Sequence, residues 1–510
     1  MQDAGTTGQD QRSLAQRTGH AVVGIGLLNV FTFSAQFATA IAIVRRLDRA
    51  LYGRYAVVAT ITIIAVQVML CGGDNSALRF VPEFVVRGRG RAVRLLGALL
   101  TAQLLVVWAA LTALYALGLS GAVSRVYDRP TADLLLLALA LAPLTAFQGL
   151  LQKLLTAAFS VGAQSVAAFV AFTTTFVLVL TWAHTPAQVV VALAVGYACG
   201  DVLLLAGLRM AWSKLPAEGG SLPVWRVMRY SVSSMWTTLL NLIVTRQTET
   251  VILGAFAATT IVASYNVAYA MPGRVLEFIP AVLYSVGVAS VAEAFTVDRT
   301  SLPRAIDLYY RALFIVTAPV AVAGAALGGV LTITLFGSAY NGAGAICQTF
   351  FALMPLMLLS APYVLVVRAL EKVWLMTCVL AVEATVNVGL DLLFIPRWGM
   401  WGAVAAVATT FTICVAINLT VYGRLDRTVR PPWRAILGYF AASAPLALLI
   451  LPTFWLGASA ALVLGLVLAA PLWLISARLL GVFGPAEQAM IGALPLPSAA
   501  ARVIRQALGV

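Results

Sequence analysis

Ala312-Leu-Phe-Ile-Val-Thr-Ala-Pro-Val-Ala-Val-Ala-Gly-Ala-Ala-Leu-Gly-Gly-Val-Leu-Thr-Ile-Thr-Leu-Phe336 contains no charged side chain and shows no regular alternation of apolar and polar residues. A transmembrane helix needs about 20 consecutive apolar residues, whereas a barrel strand needs about 10 that alternate. The stretch therefore reads as a helix surrounded by hydrocarbon. Similar runs recur along the chain's 510 residues, of which 61% are hydrophobic and 10% charged. Soluble domains carry about 25% charged residues, so water is excluded as the solvent for this surface. Lipid accepts it only if every backbone polar group is paired internally, which helices achieve. The expected fold is an all-α polytopic membrane protein.

Fourteen such runs lie near 20–44, 54–80, 93–118, 133–151, 156–182, 187–208, 229–256, 261–292, 306–336, 345–367, 373–396, 400–422, 435–454 and 458–478. Of the 33 Lys and Arg residues, 24 fall at the N-terminus, the C-terminal tail and the loops on their side, 7 on the other, and two, Arg246 and Arg274, within runs. Positive loops stay in the cytoplasm, so both termini are expected there. The net charge of +14 then reads as an insertion signal, and no nucleic-acid partner is expected. Residues 1–19 are polar, and the apolar run at 20–44 is too long for the core of a cleaved signal peptide. Cys71, Cys199, Cys347, Cys378 and Cys414 all sit in apolar segments without a CxxC pair, and read as small packing residues. With only His20 and His184, a histidine-based metal site or catalytic triad is not expected.

An internal repeat divides the chain. Tyr55 precedes Glu83 by the same interval as Tyr265 precedes Glu293, and Gln67 falls on Glu277 at the same offset. The first run carries Asn29, Thr32, Gln36 and Thr39, and the seventh carries Ser231, Ser234, Thr238, Asn241, Thr245 and Thr248. Steps of three and four place each set on one helix face. Such a face in hydrocarbon either lines an aqueous cavity or hydrogen-bonds to another helix, and the length of the second stripe favours lining. The expected organisation is a cytoplasmic tail (1–19), an N-lobe of six spans (20–208), a cytoplasmic loop (209–228), a C-lobe of six spans (229–422), spans 13 and 14 (423–480) and a cytoplasmic tail (481–510). Gly196/Gly200 and Gly324/Gly328 have the GxxxG spacing of close helix packing.

The motifs Leu51-Tyr-Gly-Arg-Tyr-Ala56 and Gly73-Asp-Asn-Ser-Ala-Leu-Arg-Phe-Val-Pro-Glu83 resemble the opening of polysaccharide-unit flippases. Glu249-Thr-Val-Ile-Leu-Gly-Ala-Phe256, Leu335-Phe-Gly-Ser-Ala-Tyr340, Asn387-Val-Gly-Leu-Asp-Leu-Leu-Phe-Ile-Pro396 and Trp398-Gly-Met-Trp-Gly-Ala403 continue the pattern in order. That family belongs to the multidrug/oligosaccharidyl-lipid/polysaccharide exporter superfamily. The resemblance implies two six-helix lobes with alternating access, and a cargo of sugar units on a polyprenyl pyrophosphate carrier, moved from the inner to the outer leaflet. The implied setting is a bacterial cytoplasmic membrane, with membrane lipids and polysaccharide polymerase or export machinery as partners. Glu249 stands where an Asp is common in the family, and spans 13 and 14 exceed its twelve-helix core. Flippases of cell-wall lipid precursors, which have fourteen spans, and cation-coupled multidrug exporters are alternatives on the same scaffold.

Flipping breaks no covalent bond, so no catalytic residues are expected. It needs positive charge for pyrophosphate and a polar wall for sugars. Charges inside spans are costly and point to function. Arg246 and Arg274 suit pyrophosphate oxygens, but each has a Glu three residues on, Glu249 and Glu277, within pairing reach. Arg46, Arg79, Asn29, Gln36 and Asn241 complete the substrate-binding candidates. Asp74, Glu249, Glu277, Glu383 and Asp391 are candidates for coupling to H⁺ or Na⁺, since a buried carboxylate binds either. The alternative for Asp74 is a structural ion pair with Arg79. No metal centre or other cofactor is expected. Trp236, Tyr269 and Tyr284 are weaker candidates for stacking on sugar rings.

Overall fold

A computed structural model describes residues 32, 34–158, 161–213, 215–216, 221–244, 248–297, 302–363, 367, 373–425, 430–485 and 487–488. The expected all-α membrane architecture holds. Among the described residues there is no strand, and ten helical stretches are long and apolar enough to cross a membrane. The chain divides into two compact units, Met1–Leu242 and Ile243–Val510. The dividing point falls inside the run read as span 7.

The first unit contains α1 (34–46), α2 (Arg49–Leu70), α3 (Gly73–Val86), α4 (Gly90–Leu114), α5 (Ser120–Val126), α6 (Arg129–Ala157), α7 (Val161–Thr181), α8 (Pro186–Ser213) and α9 (Val224–Leu242). Asp48 starts α2 by accepting a hydrogen bond from the Leu51 amide at 2.8 Å. Asp128 does the same for α6 through the Thr131 amide, also at 2.8 Å. These caps satisfy amides that the helix itself leaves unpaired.

Span 2 is broken in mid-course. Cys71 and Gly72 adopt φ values of 45° and 70°, which interrupts the backbone ladder between α2 and α3. Gln103 of α4 donates from Nε2 to the freed Leu70 carbonyl at 3.2 Å. In hydrocarbon such a break persists only where other groups pair the released backbone. Gly72 also lies against the Ser231 backbone and the Ser234 hydroxyl of α9, where any Cβ would collide. Ser76 and Ser231 share a hydrogen bond of 2.6 Å, and the Asn75 amide donates to Thr238 at 3.4 Å. The polar stripe of span 7 is thus used, over its first three members, to pack α9 onto α2 and α3. The expectation that these three line a cavity is overturned by their bonding across the helix interface.

Span 3 runs further than 93–118. A π-helical turn at Tyr115–Leu119 carries α4 into α5, and the Tyr115 hydroxyl pins it by donating to the Ala132 carbonyl at 2.8 Å. The core of this unit is aromatic and aliphatic, with Phe80, Phe84, Leu96, Leu100 and Leu150 buried. Gly196 and Gly200 let α8 approach Thr175 of α7 and Gln148 of α6.

The second unit contains α10 (Thr248–Phe256), α11 (Thr259–Val297), α12 (Leu302–Phe336), α13 (Gly344–Leu358), α14 (Val373–Leu425), α15 (Trp433–Ser443) and α16 (Ala458–Leu479), with a 3₁₀ segment at Ala444–Phe454. The long α14 holds two spans, 11 and 12, joined by a sharp break at Gly399 with φ 54°. Gly324 and Gly328 admit Phe351 and Gln348 of α13 against α12. Beyond α16, Glu487 accepts hydrogen bonds from Tyr439 of α15 at 2.5 Å and Arg311 of α12 at 2.6 Å.

Candidate functional site: a buried acidic cluster in the second unit

The residues Thr248-Glu249-Thr250 open α10, so two hydroxyls flank a carboxylate at the start of a short helix. On α14, Asn387 and Asp391 are one helical turn apart and share a face. Thr410 lies on the same element past the Gly399 break, and Asn266 comes from α11. These side chains converge. The Asn387 amide donates to Glu249 Oε1 at 3.3 Å and to Thr410 Oγ1 at 3.4 Å. The Thr248 hydroxyl lies 2.9 Å from Asn387 Oδ1 and 3.2 Å from Asp391 Oδ2. Asn266 donates to Thr250 at 3.4 Å. Glu249, Asp391 and Thr410 are fully buried and Asn387 is nearly so.

Asp391 Oδ1 has no hydrogen-bond partner among the described residues. A buried carboxylate oxygen left unpaired is costly, and a second carboxylate in the same cluster adds to that cost through like-charge repulsion. A cation relieves both. The donors are carboxylate, amide and hydroxyl oxygens, and among the described residues no group of three or more His, Cys, Asp and Glu is placed to hold a metal ion. That set suits a proton or a hard monovalent cation such as Na⁺, and does not suit a soft transition metal.

A second buried acid lies on the same element. Glu383 Oε1 accepts from the Asn418 amide at 2.8 Å, and Asn418 also donates to Ser360 at 3.4 Å. In the first unit, Asp201 of α8 is buried, and neither of its carboxylate oxygens has a hydrogen-bond partner among the described residues. The Gln148 side-chain nitrogen is likewise unpartnered, and packs against Gly200, the residue before Asp201.

The structure thus brings together Glu249 and Asp391 of the coupling candidates, and sets Glu383 on the same helix. Asp74 is half-buried at the start of α3, and no ion pair joins it to Arg79 among the described residues. Arg274 and Glu277 pair with each other on α11 at 3.1 Å. Arg79 is exposed on α3, Arg46 is exposed on α1, Gln36 is half-buried on α1 and Asn241 is exposed on α9. Arg246 and Asn29 lie outside the described residues, as does the side chain of Tyr284. Tyr269 packs edge-on against Phe350 with centroids 5.0 Å apart. Arg54, from the arginine-rich segment before span 2, pairs with Asp128 at 2.9 Å. Sequence reasoning missed Asn266, Thr410, Asn418, Gln148 and Asp201. All are polar residues inside apolar runs, and Asp201 is an ionisable one, which is a usable signal.

Residues 93–345 match the family described as "Polysaccharide biosynthesis protein". No curated protein matches the chain by sequence. Among solved structures, this chain is similar to a lipid II flippase, MurJ, in an inward closed conformation. The TM-score is 0.69 at 11% identity, over 90% of this chain and 98% of that one. It is also similar to a multidrug resistance MATE transporter in an inward-facing conformation, with a TM-score of 0.59 at 11% identity, over 78% and 96% of the two chains. A MATE transporter of Vibrio cholerae, VcmN, gives 0.54 at 16% identity over 82% and 98%. These likenesses show the fold.

Proposed function

We propose that this protein is a flippase that moves polyprenyl-pyrophosphate-linked oligosaccharide units from the inner to the outer leaflet, by alternating access, for polysaccharide export. The cycle is driven by H⁺ or Na⁺ bound at Glu249, Asn387, Asp391 and Thr410. The observation that carries this reading is the buried acidic cluster. A protein with only a scaffolding role has no use for two carboxylates sealed inside membrane helices. Desolvation of each costs roughly several kcal/mol unless a cation comes and goes. The family match supports the cargo class. The Lys and Arg bias supports cytoplasmic termini in a bacterial cytoplasmic membrane, with polymerase or export machinery as partners. Arg246 and Arg274 serve the pyrophosphate, Arg274 being released from Glu277 when substrate arrives.

A cell-wall lipid precursor is the second reading, favoured by the overlay of 90% of this chain on a lipid II flippase. A cation-coupled multidrug exporter is the third. One assay separates them. Purified protein in liposomes is given a fluorescent polyprenyl-pyrophosphate glycan, a cell-wall precursor analogue or a cationic dye, under an imposed H⁺ or Na⁺ gradient. The glycan should move fastest. Asp391→Asn should lower gradient-driven flux by about tenfold, and Arg246→Ala and Arg274→Ala should each slow glycan flux. Flux that ignores the gradient in the parent protein overturns the coupling, and transport of the dye alone overturns the cargo.

A further inference from the structure

A second polar site is built wholly within the first unit. On α9, Arg226, Arg229, Tyr230 and Ser233 follow steps of three, one and three, so they share one helix face. On α3, Arg79, Phe80 and Glu83 share another. Arg79 and Phe80 line, with Trp225 and the four α9 residues, a cavity of about 400 Å³, and Glu83 stands beside it. Phe80 is its buried floor and meets the Tyr230 ring edge-on, with centroids 5.5 Å apart. Arg79 lies over the Phe80 and Tyr230 rings at 5.9 and 5.7 Å, and Arg226 lies over Phe80 at 5.2 Å.

The three guanidinium groups are not equivalent. Glu83 takes both of its hydrogen bonds from Arg226, at 3.0 and 3.1 Å, and pairs with Arg87 at 2.9 Å. Both of its oxygens are thus engaged by Arg226 and Arg87. Arg79 and Arg229 line the same cavity with no ion-pair partner among the described residues. Arg79 is held by its stacking on the aromatic rings, so its planar fork is pre-organised while its N–H groups remain available. The site has two arginines outside any ion pair among the described residues, a third fixed in place by a carboxylate, a serine hydroxyl and two exposed aromatic rings. This is the donor set for a phosphate group attached to a ring-bearing or amphipathic body.

We propose that this cavity binds a phosphate-bearing lipid headgroup, with Arg79 and Arg229 as the phosphate ligands, Ser233 as an added donor, and Trp225 and Tyr230 as the platform for what the phosphate carries. Glu83 is a positioning residue that holds Arg226 against Phe80. The proposal rests on the flippase reading only for its choice of probe, because binding is measured without transport.

The test uses the full-length protein in detergent micelles, with inorganic pyrophosphate, a short-chain polyprenyl pyrophosphate and phosphatidylglycerol as separate probes, followed by native mass spectrometry and calorimetry. Arg79→Ala and Arg229→Ala should each weaken polyprenyl pyrophosphate binding roughly tenfold. Arg79→Lys should restore only part of the loss, because a point charge does not reproduce the fork. Both side chains are exposed, so the variants should unfold at the parent temperature. Loss of phosphatidylglycerol binding to the same extent would assign the site to bilayer lipid, whereas selective loss of the pyrophosphate probes would assign it to a carrier lipid. Either outcome upholds a phosphate site. Binding of all three probes unchanged in a variant carrying both Arg79→Ala and Arg229→Ala overturns it, and does so whether or not the protein flips a glycan.

Discussion

Gly72 is held at a φ of 70°, with the Ser231 carbonyl and Ser234 hydroxyl where a side chain would begin. Positive φ alone costs a non-glycine residue about 1–2 kcal/mol, and the collision is additional because the opposing atoms include backbone. Gly72→Ala should therefore lower the unfolding temperature of purified protein by more than a conformational penalty alone, and a shift within error of the parent would contradict the packing described. Asp201 leads to the opposite expectation. Its carboxylate is buried with no hydrogen bonds among the described residues, so the near-isosteric Asp201→Asn removes a charge at little steric cost. It should stabilise by about 1 kcal/mol or more, read as a higher midpoint in the same melt. The two residues differ in how they could be read in advance. The glycine's role depends on Ser234 of a partner helix, 162 positions later, whereas the aspartate is conspicuous as an acid within an apolar run.

Caps and breaks set where elements begin and end. Asp128 both caps α6 and pairs with Arg54, and the two roles can be separated. Asp128→Asn keeps an N-cap acceptor and loses the pair, whereas Asp128→Ala loses both. A half-exposed ion pair contributes roughly a few tenths of a kcal/mol and a cap about 1 kcal/mol, so alanine should cost clearly more than asparagine in the same melt. Burial pushes the Asp128 carboxyl up, but the Thr131 hydroxyl and amide and the Arg54 charge outweigh it and hold it below the usual carboxylate range. A carboxyl lowered on folding adds stability above its unfolded pKa and loses it as pH falls through the folded value. The parent should lose this increment on acidification below the ordinary Asp range, and Asp128→Ala should show a flatter acid limb. The same sign applies to Glu487. There burial also raises the carboxyl, but the Tyr439 hydroxyl and Arg311 win and lower it. At this scale the runs of apolar residues were legible because lipid imposes one length and one composition on every span. The break at Cys71-Gly72 and the π-helical turn at Tyr115–Leu119 were not, because each depends on a group from another helix (Gln103, or the Ala132 carbonyl that receives Tyr115) to hold the displaced backbone.

For the molecule as a whole, the fold class could be read from hydropathy. The candidate site was only half readable. Glu249 and Asp391 stand out as acids inside spans, yet their meeting through Asn387 and Thr248 depends on how α10 and α14 pack, which no local pattern encodes. Thr410 and Asn266 gave no stronger signal than any other polar residue in a span. Orientation can be tested at this scale. Single cysteines placed at Gly88 and at Asp128, in a background with the native cysteines replaced, should differ in labelling of intact cells by an impermeant maleimide. The first should stay protected and the second should react, since the charge bias assigns them to opposite faces. Equal labelling of both would reverse or abolish the assigned topology.

The polar seam that joins α9 to α2 and α3 has a consequence for the order of events during biosynthesis. Span 2 leaves the ribosome well before Gln103 exists, and longer still before Ser231, Ser234 and Thr238 do. Until the first arrives, the carbonyls released at Cys71-Gly72 have no partner in the bilayer, so the nascent helix is driven to remain straight. The break is installed after insertion, when span 3 supplies its amide. It is sealed only when residues 224–242, which come after six completed spans, dock. The first compact unit therefore cannot finish folding at the point where its sixth span is released. It waits for α9 to emerge, and a ribosome stalled just after span 6 should leave an inserted but unsealed bundle exposed to membrane proteases.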